Sequence, residues 1–250
     1  MIKLKNAEQI AIMRQSGRIT GEAILKARDA IKPGVTTRHL DDIIRAYIEK
    51  CGAKPSFLGY GGFPGSACIS VNDQVIHGIP SKDVVLDEGD IVKIDVGAFY
   101  RGFHGDSANT FAVGNITSEA KQLIEVTKES FFRGVAAISI GGRVCDIGKA
   151  VEDYATGFGY GVVKEYVGHG VGRDLHEDPE VPNYLSARRG PRLCAGMTIA
   201  IEPMINIGCD DVIQLDDGWT VKTADGSLSA HYEHTVAITD NGVEILTLVE

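Results

Sequence analysis

Four acidic residues sit in, or at the ends of, apolar strand-like runs, and this pattern severely limits the folds open to the chain. Asp95 lies in Ile91-Val92-Lys93-Ile94-Asp95-Val96-Gly97, and Asp106 directly precedes the run Ser107 to Val113. Glu202 closes Thr198-Ile199-Ala200-Ile201, and Glu233 opens Glu233-His234-Thr235-Val236-Ala237-Ile238. A continuous apolar run marks a strand buried on both faces, where an unpaired carboxylate costs several kcal/mol. If Asp90 to Tyr100 turns near Tyr100 and Arg101 and pairs with Ser107 to Val113, Asp95 faces Asp106 directly. Carboxylates opposed at cross-strand spacing repel, so a proton or a multivalent cation must lie between them. Each acid taken singly reads as an ordinary satisfied polar residue. Four together point to two divalent ions bridged by carboxylates about 3.5 to 4 Å apart, the arrangement of two-metal hydrolases.

The rest of the composition fits an enzyme-sized body. Of 250 residues, 44% are hydrophobic and 24% charged, a globular balance that excludes disordered, collagen-like and coiled-coil classes. The net charge of −9 comes with no basic run, which argues against a nucleic-acid or anionic-membrane partner. The N-terminal segment Met1 to Asn6 is charged and no apolar stretch reaches membrane-spanning length, so a cytoplasmic location is expected. Cys51, Cys68, Cys145, Cys194 and Cys209 form no C-x-x-C pair and are expected to be reduced thiols.

Helical spacing begins after Asn6, which with Gln9 forms a capping-box pattern, and runs through Ile10, Met13, Ile19 and Ile24 towards Lys32-Pro33-Gly34. Thr36 or Thr37 starts a second helix that stops at Cys51-Gly52. A strand is expected at Ala67 to Val71, then the two acidic strands, then helices over Ser118 to Ile138 and Val144 to Ala155. Further strands are expected near Val162 to Val167, Thr198 to Ile201 and Glu233 to Ile238. Helices followed by strands thus occur twice. An offset of 107 superposes Ala30-Ile31 on Ala137-Ile138, Gly34 on Gly141, Tyr47 on Tyr154, Gly52 on Gly159, Gly89 on Gly196 and Asp95 on Glu202. Such a period suggests an internal duplication, hence a pseudo-symmetric α+β body with its site between the halves.

Histidines extend the acidic set. His169 stands between glycines in Gly168-His169-Gly170-Val171-Gly172, where missing side chains permit close approach of a ligand. His176 and His77, the latter in Ile76-His77-Gly78-Ile79-Pro80, are candidates for ligation, proton transfer or charge stabilisation. His39, His104, His231 and His234 carry no motif and read as surface or supporting residues. The dinucleotide pattern fails at Arg173 and at Pro64, and neither a G-x-S-x-G elbow nor a Walker loop occurs. A nucleophilic Cys68 lacks an electropositive setting and leaves the carboxylates unexplained.

The order Asp95, Asp106, His169, Glu202, Glu233 resembles the five-ligand signature of the methionine aminopeptidases, in the short bacterial type I form of the M24-like metallopeptidases. The motifs Cys68-Ile69-Ser70-Val71-Asn72, His77-Gly78-Ile79-Pro80, Lys93 to Gly97, Gly168 to Gly172 and Ile201-Glu202-Pro203 carry the same resemblance over essentially the whole chain. It implies the duplicated "pita-bread" α+β fold, a central antiparallel sheet flanked by helices. One catalytic domain is expected over residues 1–250, with halves of about 1–114 and 115–250. The implied activity is removal of the N-terminal methionine when the second residue is small, by attack of a hydroxide held between two divalent ions. Asp95 would bind one ion, Asp106 and Glu233 both, and His169 the second, while Glu202 would bind that second ion and act as general base. His176 and His77 would contact the substrate carbonyl and amide. This oxygen-rich set suits manganese, iron or cobalt, with zinc admissible.

The resemblance also places Phe57, Tyr60, Phe63, Cys68, Leu175 and Trp219 around the methionine side chain, whose sulfur aromatic walls favour. The chain departs from the usual bacterial pattern at Phe57, Gly61, Phe63 and Leu175, where cysteine, histidine, tyrosine and phenylalanine are usual. Expected partners are methionyl peptides and nascent chains, with transient ribosome association, and the chain is expected to be a monomer. The alternatives are a proline-directed peptidase of the same fold, aminopeptidase P or prolidase, and a non-catalytic binding homologue. The first normally carries an added N-terminal domain, for which a helix starting near residue 7 leaves no room. The second should have lost ligands that are all present here.

Overall fold

A computed structural model describes residues 1–249. Helix α1 (Ala7–Arg28) is closed at its start by the expected reciprocal Asn6 and Gln9 bonds, 2.9 and 3.0 Å long. The Thr36 hydroxyl caps α2 (Thr37–Lys50), and α3 (Ser118–Ala136) and α4 (Val144–Thr156) follow. Helix α1 ends at Arg28, short of the Lys32-Pro33-Gly34 limit, because the chain turns at Ala30 and Ile31.

The main antiparallel sheet runs Lys54–Pro55, Ile91–Tyr100, Phe103–Ala112, Glu233–Thr239, Thr198–Ile201, Gly168–Gly170, Glu177–Val181. Ala67–Val71 pairs with Ile91–Tyr100, and Gly242–Ile245 with Glu233–Thr239. The fold is mixed α and β, the pita-bread architecture. Helix α1 reaches the sheet where two glycines meet: a Cβ on Gly105 would stand 2.7 Å from the Gly17 backbone nitrogen. Ile24, Leu40 and Ile44 from α1 and α2 form one core with Ile69, Ile94 and Val96 of the strands.

The 107-residue offset has conformational counterparts. Helices α2 and α4 begin at Thr37 and Val144, and strands begin at Ile91 and Thr198. The matched glycines share left-handed backbone angles: φ is 87° at both Gly34 and Gly141, 72° and 82° at Gly52 and Gly159, and 96° and 89° at Gly89 and Gly196. Side chains with a Cβ rarely adopt such angles, so the same turn requirement recurs at the same spacing.

Two strand expectations change. Val162 to Val167 is not one strand: only Gly161–Val162 pairs, with Met204–Asn206, and the His169 strand starts at Gly168. The turn of the acidic hairpin also lies one residue later than expected, and Phe103 rather than Ser107 opens its second strand. Arg101 and Gly102 both have positive φ, 48° and 89°, the signature of a two-residue type I′ turn. Asp95 therefore lies opposite Ala108, and Asp106 opposite Gly97, so the two acids are not a directly facing pair. The displacement is two residues, which preserves the face. Asp95 and Asp106 remain diagonal neighbours on one side of the sheet.

Candidate active site

Adjacent strands bring the acids together. One row across the sheet reads Cys68, Asp95, Ala108, Glu233, with small Ala108 separating two carboxylates. Asp106 stands two residues along on the Ala108 strand. Ile201 pairs with His234, which carries Glu202 to the side of Glu233, and Gly170 pairs with Ile199, which brings His169 in from the next strand.

All thirteen residues assigned to ligation, catalysis or pocket lining border one cavity of about 200 Å³: Phe57, Tyr60, Phe63, Cys68, His77, Asp95, Asp106, His169, Leu175, His176, Glu202, Trp219 and Glu233. Donor atoms of Asp106, His169 and Glu233 all lie within 4.8 Å of one another. Asp95 and Glu202 border the same cavity.

Electrostatics argue for a cation here. Burial, with the neighbouring Asp106 charge, pushes the carboxyls of Asp95, Glu202 and Glu233 well above the usual range. Burial raises Asp106 to about 7 against the opposing Ser107 N–H. Asp95 Oδ1, Asp106 Oδ1 and Glu202 Oε1 are buried without a hydrogen-bond partner. His169 Nδ1 donates to the Gly170 carbonyl at 2.9 Å, so its Nε2 carries a lone pair. That lone pair sits 3.5 Å from Glu202 Oε1 and 3.7 Å from Asp106 Oδ2. Burial holds the imidazole neutral, its pKa lowered to about 3. Lone pairs and unpaired carboxylate oxygens converging on one dry point repel one another unless protons or a multivalent cation sit among them. The residues present fit hard divalent ions, and the fixed Nδ1–H bond holds the His169 ring in its ligating orientation.

The His176 ring lies beside that of His169, tilted by 53° with centroids 4.1 Å apart, and its Nδ1 lies 2.8 Å from the Tyr60 hydroxyl. If Tyr60 donates, the proton of neutral His176 sits on Nε2. His77 adopts φ 59°, a left-handed angle that is strained for a residue with a Cβ, and burial lowers its pKa to about 4. Phe57, Phe63, Cys68 and Leu175 pack as an apolar cluster against Trp219. Phe57 enters because Gly97 has no Cβ, which would stand 2.8 Å from the Phe57 ring.

The histidines set aside in the sequence divide. His39 is exposed, and His104 is half-buried with Nδ1 2.8 Å from Ser56 Oγ. His231 and His234 are not surface residues, because both lie where strands fold against the core. His234 is satisfied by Ser107, Thr247 and Tyr232. His231 has two unpartnered ring nitrogens, with Nε2 4.0 Å from Glu233 Oε2. Sequence held one signal for it, its position two residues before an acidic strand residue, although His231 ends one strand and Glu233 opens another. Among the described residues no helix is long and apolar enough to cross a membrane.

Comparison with known proteins agrees with this geometry. The sequence profile described as metallopeptidase family M24 matches residues 11–240. A methionine aminopeptidase of Clostridium acetobutylicum is 56% identical over 250 residues, covering 100% of both chains. The crystal structure of a methionine aminopeptidase from Thermotoga maritima superposes with a TM-score of 0.97 at 43% identity, again covering 100% of both chains. A prolidase from Pyrococcus furiosus shares the fold, with TM-score 0.80 and 28% identity, but the 99% of this chain that aligns spans only 66% of the prolidase. By profile, end-to-end sequence identity and fold, the chain belongs to metallopeptidase family M24, and within it to the methionine aminopeptidases.

Proposed function

We propose that this chain removes the N-terminal methionine from peptides, nascent chains among them, whose second residue is small. The observation that carries this reading is one cavity joining buried, unpaired carboxylates to an apolar pocket of side-chain width. Asp95, Asp106, His169, Glu202 and Glu233 would hold two divalent ions, manganese, iron or cobalt before zinc. Bound there, the ions would supply Lewis-acid polarisation of the scissile carbonyl and a lowered pKa for water.

The remaining chemistry belongs to the chain. Phe57, Tyr60, Phe63, Cys68, Leu175 and Trp219 would seat the unbranched thioether side chain, and their edges exclude water from it. His176, with its proton on Nε2, would donate to the scissile carbonyl oxygen as negative charge develops, an interaction commonly worth about 10²- to 10³-fold in rate. His77 would hold the amide of the scissile bond. Glu202 would take the proton of the attacking water and pass it to the leaving amine. Residues 1–250 would act as one catalytic domain, with halves of about 1–114 and 115–250, supported by the recurring glycine turns. We place it in the cytoplasm as a monomer that meets its substrates at or near the ribosome.

The test is a tripeptide panel with metal control. Met-Ala-Ser and Met-Gly peptides should be cleaved, chelation should abolish turnover, and a divalent salt should restore it. Preference for Xaa-Pro bonds, or full turnover in a sample shown by elemental analysis to be metal-free, would overturn the reading. Glu202→Gln should abolish turnover.

A further inference from the structure

One charged pair outside the cavity is unexpectedly dry. Lys5 and Glu177 side chains are only 4% and 2% exposed, with Nζ 2.6 Å from Oε2. The second Glu177 oxygen, Oε1, accepts the backbone N–H groups of Arg173 at 2.9 Å and Asp174 at 3.3 Å. Glu177 thus ties the loop that it ends back to its own beginning, and between those points stand Leu175 and His176, both on the cavity wall. Gly172 makes room for the knot: a Cβ there would lie 2.5 Å from Glu177 Oε1 and 2.6 Å from Lys5 Cε. Lys5 is itself fixed to the body of the sheet. Its N–H donates to the Gly196 carbonyl at 2.7 Å, and the Gly196 N–H donates to Ile238 at 2.8 Å.

Stability alone does not account for such a pair. Replacing both partners of a buried ion pair by apolar residues is often neutral or stabilising, whereas removing one partner strands a charge. What the pair supplies is one fixed geometry for five consecutive backbone units. We propose that Lys5 and Glu177 are positioning residues for peptide hydrolysis, holding the loop 173–177 so that His176 and Leu175 keep their places against the substrate. This rests on the role given to His176 above. Misplacing a reacting group by about 1 Å can cost about 10²-fold, and the interaction at stake is one made in the transition state, so the loss should fall on kcat.

The experiment uses the manganese-loaded enzyme and Met-Ala-Ser. Lys5→Met should lower kcat by roughly 10- to 100-fold, with KM rising far less than kcat falls and bound manganese little changed, and should open the Arg173–Asp174 bond to trypsin. Lys5→Arg should recover most of the rate. In a His176→Ala background, Lys5→Met should add almost no further loss, because the two substitutions act on one step; a purely structural role would multiply the losses. The paired Lys5→Met, Glu177→Leu variant leaves no stranded charge and should fold even if the single variant does not, yet keep the kcat loss and the trypsin cut. Wild-type kcat and a protected Arg173 in that pair, with His176→Ala inactive, would overturn the positioning role alone. A fully active His176→Ala would overturn the His176 assignment and this proposal with it.

Discussion

Replacing Asp106 by asparagine removes one negative charge from the buried cluster while nearly preserving the side chain's shape. Burial raises the Asp106 carboxyl from 3.8 to about 7. A group whose folded pKa is raised contributes stability below its unfolded pKa, and that contribution is lost as pH rises through the folded value. The metal-free wild type should therefore weaken between pH 4 and pH 7, while Asp106→Asn escapes this part of the loss. Each pKa unit corresponds to about 1.4 kcal/mol, so the ionised carboxylate burdens the metal-free fold by at most about 4 kcal/mol. The neighbouring acids share protons with it, which reduces the figure. At about 2 to 4 °C per kcal/mol for a chain of this size, the variant should melt above the wild type by up to about 8 to 16 °C at pH 8, and by no more than about 2 to 4 °C near pH 4.5. Histidines protonate in the same window with the opposite sign, but they are common to both proteins and largely cancel in the difference. Thermal melts of chelated samples across pH 4.5 to 8 measure it. A difference that does not grow with pH, or a variant less stable at pH 8, would refute the argument that these carboxylates repel in a dry site.

Manganese should reverse the burden: at about 100 times its Kd it should add about 2.7 kcal/mol to the wild type, and calorimetry should show this gain shrinking as pH falls below about 7 and protons compete for the carboxylates. Tyr60→Phe removes the partner of His176 Nδ1 and should lower kcat/KM by about fivefold, the worth of roughly one hydrogen bond; an unchanged value would detach Tyr60 from His176. His231→Leu should weaken manganese binding by about 10-fold, with His231→Gln near wild type, if His231 supports Glu233 as outer partners of metal ligands commonly do; equal titration curves for all three would disconnect the pair. Gly97→Ala forces Phe57 or Ser56 to shift and should cost about 1 to 3 kcal/mol in denaturant titrations while raising KM for methionyl peptides; an unchanged KM would show that the pocket wall yields freely.

The acids were legible in sequence because a carboxylate in an apolar run contradicts its surroundings whatever the tertiary fold. Capping at Asn6 and Thr36 and the hairpin's existence were equally local. The register was not, since an Arg-Gly turn can be centred one residue earlier or later, and only the backbone angles at Arg101 and Gly102 fix it. The sequence left His231 and His234 open between surface and supporting roles, because burial leaves no trace in spacing, and only the packing puts both in the interior. Lys5 in a charged N-terminal segment resembles any solvated lysine, and only the packing of Gly172, Glu177 and Gly196 around it shows otherwise.

In the main sheet the early hairpin meets the late strand in two backbone pairs, Glu233 with Ala108 and His234 with Ser107, extended by the Thr235 hydroxyl, which accepts from the Asp106 N–H and donates to the Asp106 carbonyl. The seam is therefore short, and it runs through the reactive centre. Until distant parts of the polypeptide have docked, the donors remain scattered and no hydrolytic power exists. Assembly of the site thus depends on a contact between residues more than 100 positions apart in the chain.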